Sequence, residues 1–301
     1  MTRPNILLVS AGRRTTMCDI FKSAGAQVYA YELEDDCPIA KSAKQVFIAN
    51  KFRPSNHKQD IHELNEVCKK ADIQLVIPFS CEAAAWLYNY ETSLVAPCLT
   101  SFGSRICYDK ECFAQWFKGK SLFDFYPWAE HGEYAVFKPT GGCGGEGVYY
   151  EQYWSECPEE YVAQRNLKEP EYSADCYFDR NGNFVAGSVR EREFIAAGEV
   201  LESIVVDRPD IIDIVKRVGE VISFRGPICA QFMGSPKNPK ITEINARFGG
   251  GCPLSIYAGL NMVEWVMREY IDNKDLPIYA YESKPRIGAK TRRYYKDCFF
   301  N

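Results

Sequence analysis

Ile241-Thr242-Glu243-Ile244-Asn245-Ala246-Arg247-Phe248-Gly249-Gly250-Gly251 is the stretch on which the fold of this chain turns. Its first part reads as a strand, Pro239–Ile244, and on a strand residues two apart point to the same face. Glu243, Asn245 and Arg247 then share one face, away from Thr242, Ile244 and Ala246. A carboxylate and an amide oxygen suit Mg²⁺, a hard cation that borrows its other ligands from phosphates and water. An arginine on the same face suits a phosphoryl group in transfer. A solvated strand face would explain the Glu and the Arg, but fits the surrounding apolar and glycine residues less well. Gln231 lies on the preceding strand, Cys229–Gly234, and faces the same cleft if the hairpin pairs in register.

Upstream, the strand Tyr134–Pro139 carries Lys138 and leads into Thr140–Gly147 (TGGCGGEG), then a second strand from Val148. Glycines let a backbone approach a ligand closely and expose its N–H donors. A cation beside such amides is a way to hold phosphate. The lysine precedes the glycines and a strand follows them, the reverse of a Walker loop. The loop therefore reads as a hairpin flap over phosphates, or as a plain surface hairpin. Gln164-Arg165-Asn166 followed by Glu171 suits an adenosine, with Asn166 backbone at the base and Glu171 at the ribose. An ordinary hairpin gives the same pattern.

The first ninety residues alternate strand and helix. The strands are Asn5–Ser10, Gln27–Glu32, Gln45–Ala49 and Ile73–Pro78; the helices are Arg14–Ala24, Asp60–Ala71 and Cys81–Tyr90. Such alternation predicts a parallel, doubly wound sheet. The loop Ser10-Ala11-Gly12-Arg13-Arg14 lacks a three-glycine dinucleotide fingerprint. Its arginines suit an anionic substrate group at a helix N-terminus, or simply a solvated turn. From Tyr161 onward an antiparallel sheet is expected, with strands Val162–Asn166, Ser173–Asp179, Phe184–Arg192, Cys229–Gly234 and Pro239–Ile244. A helix over Asp210–Ser223 and a last one over Pro253–Tyr270 complete it.

Composition narrows the class. The chain has 301 residues, enough for about two domains. A net charge of −4 argues against a broad nucleic-acid footprint. Thirteen cysteines stand beside only three histidines, with no closely spaced pair of the kind zinc sites use. No apolar run approaches a membrane span, and the short apolar run near the N-terminus is too brief for a signal peptide. Reduced thiols serving as small core hydrophobes in a cytoplasmic protein are the expectation.

Taken in order, Asp109-Lys110, Phe137-Lys138-Pro139 with its flap, Glu171-Tyr172-Ser173-Ala174-Asp175, and Glu243 to Gly251 resemble the ATP-grasp superfamily. The likeness is to the synthetase halves of the carbamoyl-phosphate synthase large subunit and to single-chain amino-acid ligases. It runs over about residues 96–270 and extends to the N-terminal α/β region. It implies an α/β and α+β chain in three parts. These are a parallel pre-ATP-grasp domain over 1–95, a small lobe with the flap over 96–160, and a large antiparallel lobe over 161–301.

The resemblance also implies roles. ATP would be held by Lys110, Lys138, the flap residues Thr140, Gly141, Gly142, Gly144, Gly145 and Gly147, the hinge Gln164 and Asn166, and Glu171. Mg²⁺ or Mn²⁺ would be held by Gln231, Glu243 and Asn245. Arg247, Lys138 and Arg190 would serve the chemistry, with Arg192 near substrate or phosphate. The implied activity is an ADP-forming carboxylate–amine ligase that works through an acyl phosphate on an amino acid or small peptide. Phosphorylation of a carboxylate or bicarbonate in nucleotide-precursor metabolism, or an inactive nucleotide-binding scaffold, are the alternatives. The partners expected are small-molecule carboxylates and amines, with no nucleic acid and no membrane; a homodimer is left open. Cys143 and Glu146 within the flap depart from plain phosphate chemistry. Candidate substrate contacts are Gly12–Arg14, Ser80, Glu82, Arg190, Arg192 and the basic segment Lys290–Arg293.

Overall fold

The computed structural model describes residues 3–49, 57–118, 121–130, 132–142, 147–168, 170–196, 199–294 and 296–300. Gly144 and Gly145 of the flap, with Cys143 and Glu146, lie outside the described residues.

Strands β1 (Asn5–Val9), β2 (Gln27–Glu32), β3 (Val46–Ile48) and β4 (Ile73–Pro78) form a parallel sheet in the order β3-β2-β1-β4. Helix α1 (Thr15–Ser23) connects β1 to β2, α2 (His57–Lys70) connects β3 to β4, and α3 (Cys81–Asn89) follows β4. Both faces are buried, as a crossover sheet requires. Leu7, Val9, Tyr29 and Val76 meet Leu64, Trp86 and Leu87 of α2 and α3. Ile6, Leu8, Val28 and Ile77 meet Phe21 of α1 and, from the far end of the chain, Val263, Trp265 and Val266. The N-terminal domain therefore shares a core with the C-terminal lobe.

Helices α4 (Phe102–Tyr108) and α5 (Lys110–Phe117) follow. Asp109 caps α5, its Oδ1 accepting from the Cys112 N–H at 2.9 Å, so Lys110 opens the helix. Strands β5 (Tyr134–Pro139), β6 (Tyr149–Tyr153) and β7 (Tyr161–Arg165) make a small antiparallel sheet in the order β6-β5-β7. The expected division at 160/161 thus falls at the start of β7, a strand that pairs with β5.

The large sheet joins β8 (Glu171–Phe178), β9 (Phe184–Ala196), β10 (Glu199–Val206), β11 (Gly226–Met233), β12 (Lys240–Asn245) and β13 (Lys290–Arg292) in the order β12-β11-β8-β9-β10-β13. The sequence reading gives no sign of α4, β10, β13 or a short helix over Ile278–Tyr281. It also expected one helix over Pro253–Tyr270. The structure has α7 (Cys252–Tyr257) and α8 (Met262–Val266), which passes into a π turn at Met267–Ile271. Gly259 at φ 111° separates the two helices, a conformation open mainly to glycine. Between β10 and β11, α6 (Pro209–Gly219) packs Ile211, Ile214, Val215 and Val218 into the core of this lobe.

Alternation along the large sheet separates core from cleft. Tyr172, Ala174, Cys176, Val189, Ala230, Phe232 and Ile244 point into the apolar core beneath α6. Their neighbours Glu171, Ser173, Asp175, Arg190, Arg192, Gln231, Glu243 and Asn245 point to the opposite face. The twelve described cysteines are all free, and eight of them are buried. Burial pushes the Cys18 thiol up to about 11 and those of Cys68 and Cys229 to about 12, which suppresses the reactive thiolate. No helix among the described residues is long and apolar enough to cross a membrane.

Candidate functional site

Strand register builds the site. Glu243 pairs with Gln231, Gln231 with Ser173, and Ser173 with Arg190. Directly opposed residues share a face, so Glu243, Gln231 and Arg190 fall on one transverse row of the sheet. One rung along, Asn245, Cys229 and Asp175 form a second row.

The three oxygen-bearing side chains expected to hold a metal are in contact. Asn245 Nδ2 donates to Glu243 Oε1 at 2.6 Å, and Gln231 Nε2 approaches the same oxygen at 3.5 Å. Arg247 Nη2 donates to Asn245 Oδ1 at 2.9 Å. Cys81, at the start of α3, donates its thiol to that Oδ1 at 2.6 Å. This contact was not foreseen; it joins the N-terminal domain to the row. A single carboxylate with two amide oxygens is a hard but weakly charged set. It fits a divalent cation whose remaining charge is met by phosphate oxygens. Phe248 fixes the strand end by stacking on Phe79 (5.7 Å, 13°) and meeting Phe21 edge-on (5.8 Å).

Across the cleft stands the small lobe. A cavity of about 270 Å³ lies between the two sheets and is bordered by Lys110, Lys138, Gly141, Gly142, Asn166, Glu171, Gln231 and Glu243. Val136, Leu167, Ile195 and Met233 give it an apolar end suited to a planar base. Lys110 ties down the flap: its backbone N–H donates to Thr140 O at 2.8 Å and its Nζ to Gly142 O at 2.9 Å. Thr140 N–H in turn donates to Glu160 O at 2.9 Å. Gly142 and Gly147 have φ of 97° and 70°. Gln164 borders the cavity, but its amide donates to Tyr126 Oη and Thr242 O, both at 3.0 Å. It therefore binds the small sheet to the large one. Glu171 is held by Arg192 Nη1 at 2.7 Å, which also reaches Gln231 Oε1 at 3.3 Å.

Burial lowers Lys138 below the ordinary lysine range; Glu243 opposes the shift, Lys110 adds to it and Glu171 opposes it again. A phosphate held by Lys138, as the sequence leads one to expect, would favour the charged amine, so nucleotide affinity should be complete below the Lys138 pKa of the free protein and decline as pH rises through it. The decline should start below the usual lysine value of about 10.4. Titrating Mg·ADP affinity between pH 7 and 10 checks this. An unchanged affinity over that range would contradict it, and Lys138→Arg should remove the decline.

Arg190 lies deeper. It is 1% exposed, donates from Nε to Asp175 Oδ2 at 2.7 Å, and has no hydrogen-bond partner for Nη1 among the described residues. Burial alone would lower its pKa, but the Asp175 carboxylate more than offsets this and holds the guanidinium charged. Arg190 and Arg247 border a second cavity of about 260 Å³, which shares Arg192, Gln231 and Glu243 with the first. The glycine run explains itself here. A Cβ on Gly251 would lie 2.3 Å from Arg190 Nη1, and one on Gly250 3.1 Å from Arg14 Nη2. Two guanidiniums rest on this backbone. Gly251→Ala should destabilise the protein by about 1–3 kcal/mol through overpacking. Urea denaturation measures the loss, and wild-type stability would refute the argument.

Of the other candidates, Ala11 and Gly12 N–H groups both donate to the buried Glu32 carboxylate, at 2.6 and 3.0 Å. An internal acid thus takes the amides that a ligand could use in the first loop. Ser80 caps α3 through Ala83 N–H at 3.0 Å. Arg293 and Glu199 belong to the cleft as well. Nothing in the sequence marked Glu199, because β10 was not foreseen.

Comparisons with known proteins bear on the fold. A family model described as ATP-grasp in the biosynthetic pathway with Ter operon matches residues 158–290, and a PylC-like N-terminal domain model matches residues 6–92. Residues 158–290 are thus similar to an ATP-grasp domain. The fold is shared with solved structures of low sequence identity. N5-carboxyaminoimidazole synthetase from Staphylococcus aureus, complexed with ADP, is 15% identical with a TM-score of 0.68, over 91% of this chain and 78% of that one. The biotin carboxylase domain of the Hydrogenobacter thermophilus 2-oxoglutarate carboxylase, with MgADP and bicarbonate, is 14% identical with a TM-score of 0.71, over 96% and 74%. An L-amino acid ligase from Bacillus licheniformis is 16% identical with a TM-score of 0.67, over 95% and 81%. No curated protein sequence matches. The ATP-grasp domain and the parallel N-terminal domain are the architecture expected from the sequence.

Proposed function

We propose that this protein is an ATP-dependent, ADP-forming carboxylate–amine ligase acting on an amino acid or small peptide. The observation that carries the reading is one continuous cleft. Lys110 and Lys138 stand at one end, Glu243, Gln231 and Asn245 in the middle, and Arg247 and Arg190 beyond them. Mg²⁺ bound by Gln231, Glu243 and Asn245 would neutralise phosphate charge. Lys138 and Lys110 would hold the phosphate chain, with Asn166 and the apolar wall around the base and Glu171 at the ribose. Arg247 would take the γ-phosphoryl group, and Arg190 would orient the acid toward it. An oxygen of the carboxylate attacks the γ-phosphorus and the bond to the ADP oxygen breaks. The amine then attacks the acyl carbon and phosphate leaves. Positioning and charge neutralisation suffice for this, with no enzyme nucleophile.

A second reading gains support from the likeness to a carboxyaminoimidazole synthetase and a biotin carboxylase: bicarbonate as the acid at the same arginines. A phosphate-release screen over pairs of acids and amines tests both. Release that needs an acid and an amine together supports the ligase, and release that needs bicarbonate supports the second reading. Nucleotide binding with no turnover across the panel would leave only a scaffold.

A further inference from the structure

Beyond Arg190 the cleft opens into a third cavity, of about 430 Å³. Arg13, Arg14, Glu199, Gly250, Gly251 and Arg293 border both this cavity and the one beside Arg190. Its walls are the first turn of α1, the start of β10, the glycine run and the segment after β13. β13 pairs with β10 through Glu202–Arg292, Ser203–Thr291 and Ile204–Lys290, and that pairing carries Arg293 into the cleft.

The charge there is unbalanced. Arg14 and Arg293 share a single carboxylate, Glu199, at 3.6 and 3.1 Å. Arg292 pairs with Glu202 at 3.3 Å. Arg13 is exposed and has neither ion pair nor hydrogen bond among the described residues. Lys296 also borders the cavity. No side chain caps α1, whose Thr15 and Thr16 line the wall. Two buried polar groups on residues lining the cleft have no hydrogen-bond partner among the described residues: Ser203 Oγ, on a residue 0% exposed that borders the outer cavity, and Arg190 Nη1, on one 1% exposed that borders the inner one. Buried polar groups left unpaired are costly; a bound anion would satisfy both them and the excess positive charge. The neighbouring guanidiniums of Arg247 and Arg293 act on Arg14 in the same sense as its burial, disfavouring its charge, and an anion would relieve this.

We propose that the acid activated by this protein is a dianion. Its reacting carboxylate lies by Arg190 and Arg247, and its second acidic group, a carboxylate or a phosphate, is held in the outer cavity by Arg13, Arg14, Arg293 and the first turn of α1. This rests on the ligase reading. Glu199 is then a competitor that the second acidic group displaces from Arg14 and Arg293.

Isothermal titration calorimetry on the full chain with Mg·ADP, using propionate, glutarate and 3-phosphonopropionate, tests the proposal. At least one dianion should bind about tenfold or more tightly than propionate, the scale of one charge-assisted contact. The tighter of the two dianions separates carboxylate from phosphate. Arg13→Gln and Arg293→Gln should each shrink the advantage while leaving Mg·ADP affinity unchanged, and Glu199→Gln should enlarge it. If Arg293→Gln fails to fold, Arg13→Gln, at an exposed position, decides. Equal affinity for the three acids, no binding of any, or an advantage that survives Arg13→Gln would overturn the proposal. Weakening by Glu199→Gln would point to an ammonium group in the cavity and overturn it too. Absence of phosphate release with every acid–amine pair would instead refute the ligase reading, while leaving selective dianion binding intact.

Discussion

Glu243→Gln should lower ATP-dependent turnover by about 10²–10³-fold, the range seen when one preorganised electrostatic contact is removed from a reacting site. Glu243 is the only carboxylate among the three side chains in the middle of the cleft, and the amide nitrogens of Asn245 and Gln231 both approach its Oε1. The amide keeps the shape of the side chain, so the fold should remain, as a thermal melt would verify. The charge is what is lost, and with it most of the attraction that the proposed site would exert on a hard cation. Lys138 would feel the change as well, because Glu243 is the largest influence opposing its burial. The variant should therefore lose nucleotide affinity at lower pH than the wild type. Turnover within tenfold of wild type, with an unmoved alkaline limb, would remove Glu243 from the site.

Asp175→Ala should cost about 3–5 kcal/mol of stability, the scale for leaving one member of a buried ion pair alone. Asp175 and Arg190 have side chains 1% exposed and meet at 2.7 Å. Ser255 Oγ donates to the same carboxylate oxygen at 2.6 Å. With Asp175 gone, Arg190 stays trapped against Gly251 without a countercharge, and Ser255 loses its acceptor. Replacing both residues, as Asp175→Ala with Arg190→Met, should recover part of the loss, because neither charge then remains buried. Equilibrium urea denaturation of the two variants measures this. A single-variant loss under about 1 kcal/mol, or a double variant weaker than the single, would show that the pair does not anchor the sheet.

Much of the architecture was legible along the chain. β2, β4 and β5 fall where the sequence reading put them, because apolar alternation and flanking turn residues are local signals. The face shared by Glu243 and Asn245 follows from strand parity alone. Other parts had no local signature. β13 is three residues long and owes its existence to β10. The last helix reads as continuous until Gly259 adopts a positive φ.

The sequence by itself determined which side chains could share a face, since the two-residue period of a strand is a property of the backbone. It could not determine which strands lie side by side. Only the tertiary structure set Glu243, Gln231, Ser173 and Arg190 in one row, brought Cys81 to Asn245 across 164 residues, and swung Arg293 beside Arg14. Those adjacencies come from cross-strand register and a shared core, which depend on contacts between distant residues and leave no periodic trace in the chain.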